Sequence, residues 1–545
     1  MKIAVSELIV RFMERLGVTH AFGMPGAHIL PVYDRLYDSG IKTVLVKHEQ
    51  GAAFMAGGLA RVSGGIGACI TTAGPGATNL VTGIANAYAE KLPILIITGE
   101  TSTYIFGKGG LQESSGEGGA LDQAALFSGI TRYHKIVERT DYLGQVLNQA
   151  ARILLSPGSG PVLLSFPYNV QKEMVEESLL DAVNFRAPAT HRRPTPADEL
   201  AALIEASRYP VIVAGYGCLQ AGAQGAVAHL SEALNIPVAT SLKAKGVVDE
   251  GVGLSLGSLG VTSDGQAYRY IVDHADLVLF LGAGFNERTS YLWDSKLLAG
   301  KKIAQIDIDE AQLEKVFKAD LAIHGDIGDV LNDVLARVAA GSAERKTLDR
   351  FSGQQGGVGG ADSKFSLIER FYAELAARFP QDAMVFDDNI IFAQSFFKVS
   401  PGNRYFPNSG ISSLGHAIPA AIGARFARPG PTFAILGDGG FQMCCMEIMT
   451  AVNYCIPLNI VVINNATMGL IRKNQYQLYG ERFIDCDFVN PDFLLLARSF
   501  GINHRKIETE ADIDALFAQA DLAGSINLIE IMLDKNAFPD YLSDR

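Results

Sequence analysis

The sequence predicts an α/β protein built from three doubly wound parallel-sheet domains. Three observations predict it. The chain has 545 residues, too many for one hydrophobic core. Short apolar runs alternate with helical patterns from end to end, which is the rhythm of βαβ units. That rhythm breaks twice, at 184–199, rich in Pro and Arg, and at 340–363, polar and Gly-rich. Both breaks read as linkers. They divide the chain into domains at 1–180, 190–340 and 364–545, each of ordinary size.

The first unit opens on "MKIAVSELIVRFMERLGV", an amphipathic helical pattern with an early acid and no signal-peptide apolar region. Apolar runs at 42–48, 67–72, 93–99 and 161–167 read as buried strands. "EQGAAFMAGGLARVSG" and "GATNLVTGIANAYAEK" between them read as helices. The second unit carries "PVIVAGYG", "IPVATS", "ADLVLFLGAG" and "KIAQIDID", and its rhythm fades near Val338. The third carries "DAMVFDD", "PTFAILGDGG", "LNIVVINN" and "INLIEIML".

Composition narrows the function. The formal net charge is 46 − 58 = −12 and no Lys/Arg-rich block occurs, so no nucleic-acid partner is expected. Apolar stretches such as 92–98 are far short of a membrane span, and the chain reads as cytoplasmic. Cys69, Cys218, Cys444, Cys445, Cys455 and Cys486 show no C-x-x-C spacing, so they read as buried, reduced residues. "PVIVAGYGCLQAG" at 210–222 imitates a dinucleotide fingerprint. Its spacing is G-x-G-x-x-x-x-G, and the acids at 307–310 come about 90 residues later rather than about 20. It reads as ordinary glycine turns.

The third unit holds the informative motif. Gly437-Asp438-Gly439-Gly440 follows one strand, and Asn464-Asn465 ends the next, with a crossover helix expected at about 446–454. Ligands of open parallel sheets bind at the carboxyl ends of strands. If these strands are neighbours, Asp438 and Asn465 face one spot, and the Thr467 carbonyl can join them. One carboxylate, one amide oxygen, one carbonyl and several phosphate oxygens form the octahedral oxygen site that Mg²⁺ takes on a diphosphate. The three glycines let backbone N–H groups approach the phosphates.

This spacing resembles the diphosphate signature of thiamine diphosphate (ThDP) enzymes. "FGMPGAHILPVYDRLY", "VKHEQGAAFMAGGLAR", "TTAGPGATNLVTGIANAYAEKLPILIITG" and "SSLGHAIPAAIGARFARPG" resemble the acetolactate synthase-like family across essentially the whole chain. The resemblance implies pyrimidine-binding, central and diphosphate-binding domains in that order. It implies ThDP and Mg²⁺ as cofactors, with Asp438, Asn465 and Thr467 as metal ligands. Gly437, Gly439, Gly440, Gly469, Leu414, Ser412 and Asn389 would complete the cofactor site, Leu414 as the wedge between the rings and Ser412 through its carbonyl. Glu49, at the start of a helix in "KHEQGAA", stands where the family activates the aminopyrimidine ring. A homodimer is implied as the minimum unit, and a homotetramer is expected, with active sites between subunits.

Around the substrate the resemblance divides. Ala27 and His28, with Gln112 in "LQESSGEGGALDQ", are similar to benzaldehyde lyase and imply a His/Gln pair that handles protons. Leu470 and Asn474 would line the other wall, with Asn474 where acetolactate synthases carry Trp, a feature similar to cyclohexane-1,2-dione hydrolase. Arg472 is either a carboxylate ligand or a solvated helix residue. "GAGFNER", with Gly284 in place of an Arg, weakens an FAD reading of the central domain and leaves it open. The implied activity is decarboxylation of a 2-oxo acid such as pyruvate and ligation to a carbonyl acceptor. The alternatives are a non-decarboxylating lyase of a 2-hydroxyketone or cyclic diketone, and a non-catalytic subunit on the same fold.

Overall fold

A computed structural model describes residues 1–187, 195–251, 253–338, 363–388 and 391–539. Three six-stranded sheets form, and every pairing within them is parallel. The first lies in the spatial order Lys42–Leu45, His20–Gly23, Gly67–Thr71, Ile94–Glu100, Val162–Pro167, Tyr133–Ile136. The third runs Arg404–Pro407, Met384–Asp387, Thr432–Gly437, Leu458–Asn464, Ile526–Met532, Asn503–Ile507. Numbered along the chain, both have the order 2-1-3-4-6-5, a shared topology that no sequence repeat announces. The central sheet runs Ser255–Ser258, Val238–Thr240, Pro210–Ala214, Leu277–Leu281, Lys302–Asp307, Leu321–His324, which is 3-2-1-4-5-6.

Strands at the middle of these sheets are covered on both faces, so their sequences show no alternation. All seven residues of Ile94–Glu100 are buried, and likewise all seven of Leu458–Asn464. One hydrophobic core joins the first and third sheets. It contains Phe22, Cys69 and Ile96 from one, Ala434, Leu436 and Ile460 from the other, and Met55, Leu59, Ile418 and Ile422 from two helices between them.

Those helices are Glu49–Ser63 and Ala417–Ala427. Their backbones touch. A Cβ on Gly58 would stand 2.0 Å from the Ala420 carbonyl oxygen, and one on Gly423 would stand 1.9 Å from that of Met55. Only glycine permits this approach. An ion pair and a hydrogen bond tie on the central unit. Lys91 of the first unit meets Asp309. Buried Lys245 meets Glu250 at 2.7 Å, and Glu250 accepts a hydrogen bond from the Val399 N–H at 3.1 Å.

Several expectations need correction. The amphipathic helix, Val5–Arg15, is preceded by a strand, Lys2–Ala4, paired antiparallel with Met174–Glu176. The crossover after Gly437 is helical from Asp438 onward, as Asp438–Cys444, Cys445–Glu447 and Ile448–Asn453. Glycines lower helix propensity and mask that start in the sequence. Cys455 is exposed and Cys445 half-buried, while the other four thiols are buried, and all six are free. Among the described residues no helix is long and apolar enough to cross a membrane.

Replacing Gly423 by Val forces two packed helices apart, at a cost of about 3 kcal/mol. The thermal midpoint of Gly423→Val should fall by several degrees. Gly225→Ala, on an open helix surface with nothing within 4 Å, should leave it unchanged or slightly raised. Calorimetric scans of the two variants check this.

Candidate active site

A cavity of about 310 Å³ opens at the carboxyl ends of the third sheet. Gly437, Asp438, Gly439, Gly440, Asn465, Thr467, Gly469, Leu414, Ser412 and Leu470 all line it. The strands Thr432–Gly437 and Leu458–Asn464 are hydrogen-bonded neighbours, with Gly437 opposite Ile463. Asp438 is 1% exposed. Its Oδ2 accepts three hydrogen bonds, from the N–H groups of Asn465 (3.1 Å) and Ala466 (2.6 Å) and from the Asn490 amide (2.7 Å). Its Oδ1 accepts one, from Gly439 N–H at 3.0 Å. Burial pushes the carboxyl upward in pKa against the lowering effect of these donors.

Ala466, with φ +53°, turns the chain sharply after the strand. The Asn465 side-chain oxygen accepts Thr467 N–H at 3.3 Å. Thr467 sits in a bridge opposite Asp487, where the hydrogen bonds run from Met468 N–H to the Cys486 carbonyl and from Phe488 N–H to the Ala466 carbonyl. The Thr467 carbonyl takes part in neither. Among the described residues no group of three or more His, Cys, Asp or Glu side chains could hold a metal. The oxygens gathered here are of mixed type.

The first unit carries a second cluster. Glu49 begins its helix, is 7% exposed, and accepts from the Asn79 amide at 2.9 Å on Oε2. The turn before it is gripped by Glu447, which accepts from Lys47 N–H (3.0 Å) and His48 N–H (2.9 Å). His28 Nδ1 lies 3.3 Å from the Gln112 side-chain oxygen, which Thr72 also meets at 3.4 Å. Ala27, beside His28, is exposed. No residue of 1–187 lines the cavity of the third sheet.

Comparison with known proteins gives the family. Three family models match in succession: the N-terminal TPP-binding domain of thiamine pyrophosphate enzymes at residues 3–125, their central domain at 197–334, and their C-terminal TPP-binding domain at 389–531. The chain is 33% identical to a probable acetolactate synthase large subunit of Methanocaldococcus jannaschii, over 97% of this chain and 92% of the relative. It is 32% identical to an acetolactate synthase of Mycobacterium bovis, over 97% and 87%. It is 31% identical to the acetolactate synthase isozyme 2 large subunit of Escherichia coli K12, over 94% and 93%. The chain belongs to the thiamine pyrophosphate enzymes. Within them it is an acetolactate synthase-like, ThDP-dependent enzyme.

Sequence reasoning missed four residues of this thiamine pyrophosphate enzyme's sites. Asn389 lies outside the described residues, but Asp388 before it is buried and lines the cavity. Asp388 accepts from Gly415 N–H at 2.6 Å and His416 N–H at 3.0 Å, so it fixes the turn that carries Leu414. Burial raises its carboxyl to about 6. Glu447, Asn490 and Glu100 were also missed. Asn490 and Glu100 lie outside the motifs and Glu447 lies inside one with no spacing signal of its own, so only tertiary structure shows what each holds.

One expectation fails. Arg472 is neither a free carboxylate ligand nor solvated. It is 6% exposed, holds Asp487 at 2.8 and 3.0 Å, and covers the Phe483 ring. Asn474 is not among the residues that line the cavity of the single chain, to which its helix, Gly469–Leu478, contributes Leu470 and Ile471.

Glu100 anchors the Gln112 loop. It is fully buried, and its Oε1 accepts from Thr101 N–H (2.7 Å) and Ser114 N–H (3.0 Å). Burial raises its carboxyl to about 7. A raised carboxyl favours the fold when protonated. That stability is complete below pH 4.5 and is lost as pH rises through 7, by up to roughly 3 kcal/mol. Gln in this position accepts the same two hydrogen bonds without a charge. Glu100→Gln should therefore melt higher than the parent at pH 8 and at the same temperature at pH 4, as thermal scans across that range will report.

Proposed function

We propose that this enzyme uses ThDP and Mg²⁺ to decarboxylate a 2-oxo acid such as pyruvate and to ligate the remaining fragment to a carbonyl acceptor. The names of its relatives support this reading, and so does the split between the two oxygens of Asp438. Oδ2 is saturated by three donors, and Oδ1 retains a lone pair. That oxygen, the Asn465 amide oxygen and the Thr467 carbonyl fit one hydrated Mg²⁺. Gly437, Gly439, Gly440 and Gly469 give the diphosphate room, and Leu414, held by Asp388, supplies the apolar wedge.

Bound ThDP supplies a nucleophilic carbon that adds to a carbonyl and then accepts its electrons. The chain's own groups do the remainder. Glu49, with Oε2 engaged by Asn79, has Oε1 to share a proton with the pyrimidine ring. The Gln112 oxygen accepts from His28 Nδ1–H, which leaves His28 Nε2 basic and the Gln112 NH₂ free to donate to substrate oxygens. Lys535 stands at the cavity's edge as a cation for a substrate carboxylate.

A second copy of the chain completes the site. The cavity contains nothing from the first unit, so Glu49, His28 and Gln112 reach it from a neighbouring subunit. Met443, Met446 and Tyr476, each at least 45% exposed on the elements that frame the cavity, supply apolar surface for that contact. A homodimer is the minimum and a homotetramer the proposed form, in the cytoplasm. The proposed domain limits are 1–180, 190–340 and 364–545. In the central unit, Gly215 packs directly on Gly282 and donates its N–H to the Leu281 carbonyl at 2.8 Å.

The His28–Gln112 contact and the engagement of Arg472 favour a second reading, a lyase that cleaves a 2-hydroxyketone or cyclic diketone without losing CO₂. Supplying pyruvate and measuring CO₂ separates the two. Steady release supports the first reading, and none supports the second. Glu49→Gln should lower turnover at least about 100-fold while ThDP still binds. Full turnover in that variant would overturn the mechanism.

A further inference from the structure

Behind the cavity, a single file of side chains links the Asp438 carboxylate to an edge strand. Asn490 Nδ2 donates to Asp438 Oδ2 (2.7 Å) and to Asn464 Oδ1 (2.8 Å). Asn464 Nδ2 donates to Glu530 Oε1 (2.6 Å), and His504 Nε2 meets Glu530 Oε2 at 3.1 Å. Asn464 is 9% exposed and Glu530 is 6% exposed. His504 stands on the edge strand Asn503–Ile507.

An ionised carboxylate only accepts hydrogen bonds. Asp438 therefore requires the NH₂ of Asn490, and Glu530 requires the NH₂ of Asn464. The Asn464 oxygen then faces Asn490 and takes its second N–H. Two carboxylates at opposite ends force both amides into one direction. Gln442 also donates to Asn490, at 2.9 Å, but its exposed amide can turn over and so sets no direction. Burial, the largest single influence on Glu530, pushes its pKa up. Its hydrogen bonds to His504 and Asn464 and the nearby charges of His504 and Lys506 more than offset this and keep it below the ordinary range.

We propose that Glu530 and His504 are positioning residues for the metal site, holding through Asn464 and Asn490 the side-chain donor that completes the saturation of Asp438 Oδ2 and leaves Oδ1 for Mg²⁺. The proposal rests on the ThDP and Mg²⁺ reading above. Outer partners of this kind typically change metal affinity about 10- to 100-fold. The effect is directional, so it has an unusual signature. In Glu530→Gln, the new carbonyl still accepts from Asn464 while the new NH₂ donates to unprotonated His504 Nε2. In His504→Phe, Glu530 still accepts from Asn464. Each single change should shift the Mg²⁺ requirement less than about threefold. Together they leave the introduced amide without a partner to direct it, and the requirement should rise at least about tenfold.

The measurement is calorimetric ThDP binding to the full-length protein at stepped Mg²⁺, with circular dichroism to verify folding. Supra-additive loss in the double variant supports the proposal. A double variant no worse than the product of its singles overturns it. Should the double variant not fold, Asn490→Leu serves in its place. It removes the donor to Asp438 and should raise the requirement about tenfold, and an unchanged requirement overturns the proposal. A parent protein that binds no ThDP at any Mg²⁺ concentration contradicts the cofactor reading itself, not the network.

Discussion

The saturation of Asp438 Oδ2 is the constraint on which the site depends. Three donors from two separate segments converge on one oxygen: two backbone N–H groups past the Leu458–Asn464 strand and the Asn490 amide. They hold the tips of adjacent strands in one geometry and consume that atom's accepting capacity. The other oxygen is presented at the cavity by default. A buried carboxylate is costly unless its hydrogen bonds are satisfied, and here the same bonds that meet that cost also set which atom is available.

A second constraint is the glycine contact between the helices Glu49–Ser63 and Ala417–Ala427. It merges the first and third sheets into one body with a shared core. The crossover that begins at Asp438 continues to Glu447, whose carboxylate grips the turn ahead of Glu49, and to Tyr454, whose hydroxyl accepts from Leu45 N–H at 2.7 Å. One short segment thus carries a residue of the proposed metal site at its start and supports the Glu49 turn of the same chain further on. In an assembly where sites form between copies, each crossover would contribute to two sites.

The sequence made the layered α/β architecture legible because buried parallel strands are continuous apolar runs, and because linkers differ in composition from packed elements. The proposed diphosphate cluster was legible because its residues are close in sequence and its chemistry demands rare neighbours, an acid between glycines and a paired amide. Asp388, Asn490, Glu447 and Glu100 were hidden for the opposite reason. Asp388, Asn490 and Glu447 act on groups distant along the chain, Glu100 acts on Ser114 as well as its own neighbour, and a lone acid or amide carries no spacing signal. The fate of Arg472 shows the same limit. A helical arginine reads as solvated until the structure puts Asp487 and Phe483 against it.

What distinguishes the two chemistries is charge around the cavity more than the cofactor cluster, which both would share. A 2-oxo acid brings a carboxylate, and the most obvious cation, Arg472, is already committed. Lys535 stands near Asp487 at 3.4 Å and is half exposed, so its pull on a substrate anion is screened. A weakly held carboxylate does not oppose decarboxylation, since a carboxylate moved from water into an apolar site is destabilised relative to the neutral CO₂ it becomes. Ile391, Phe392, Leu470, Ile471 and Phe538 make this wall apolar. The same surface accepts an uncharged hydroxyketone equally well, so the wall permits both substrates, and in the proposed two-copy site the His28–Gln112 pair would decide between them by where it puts the proton.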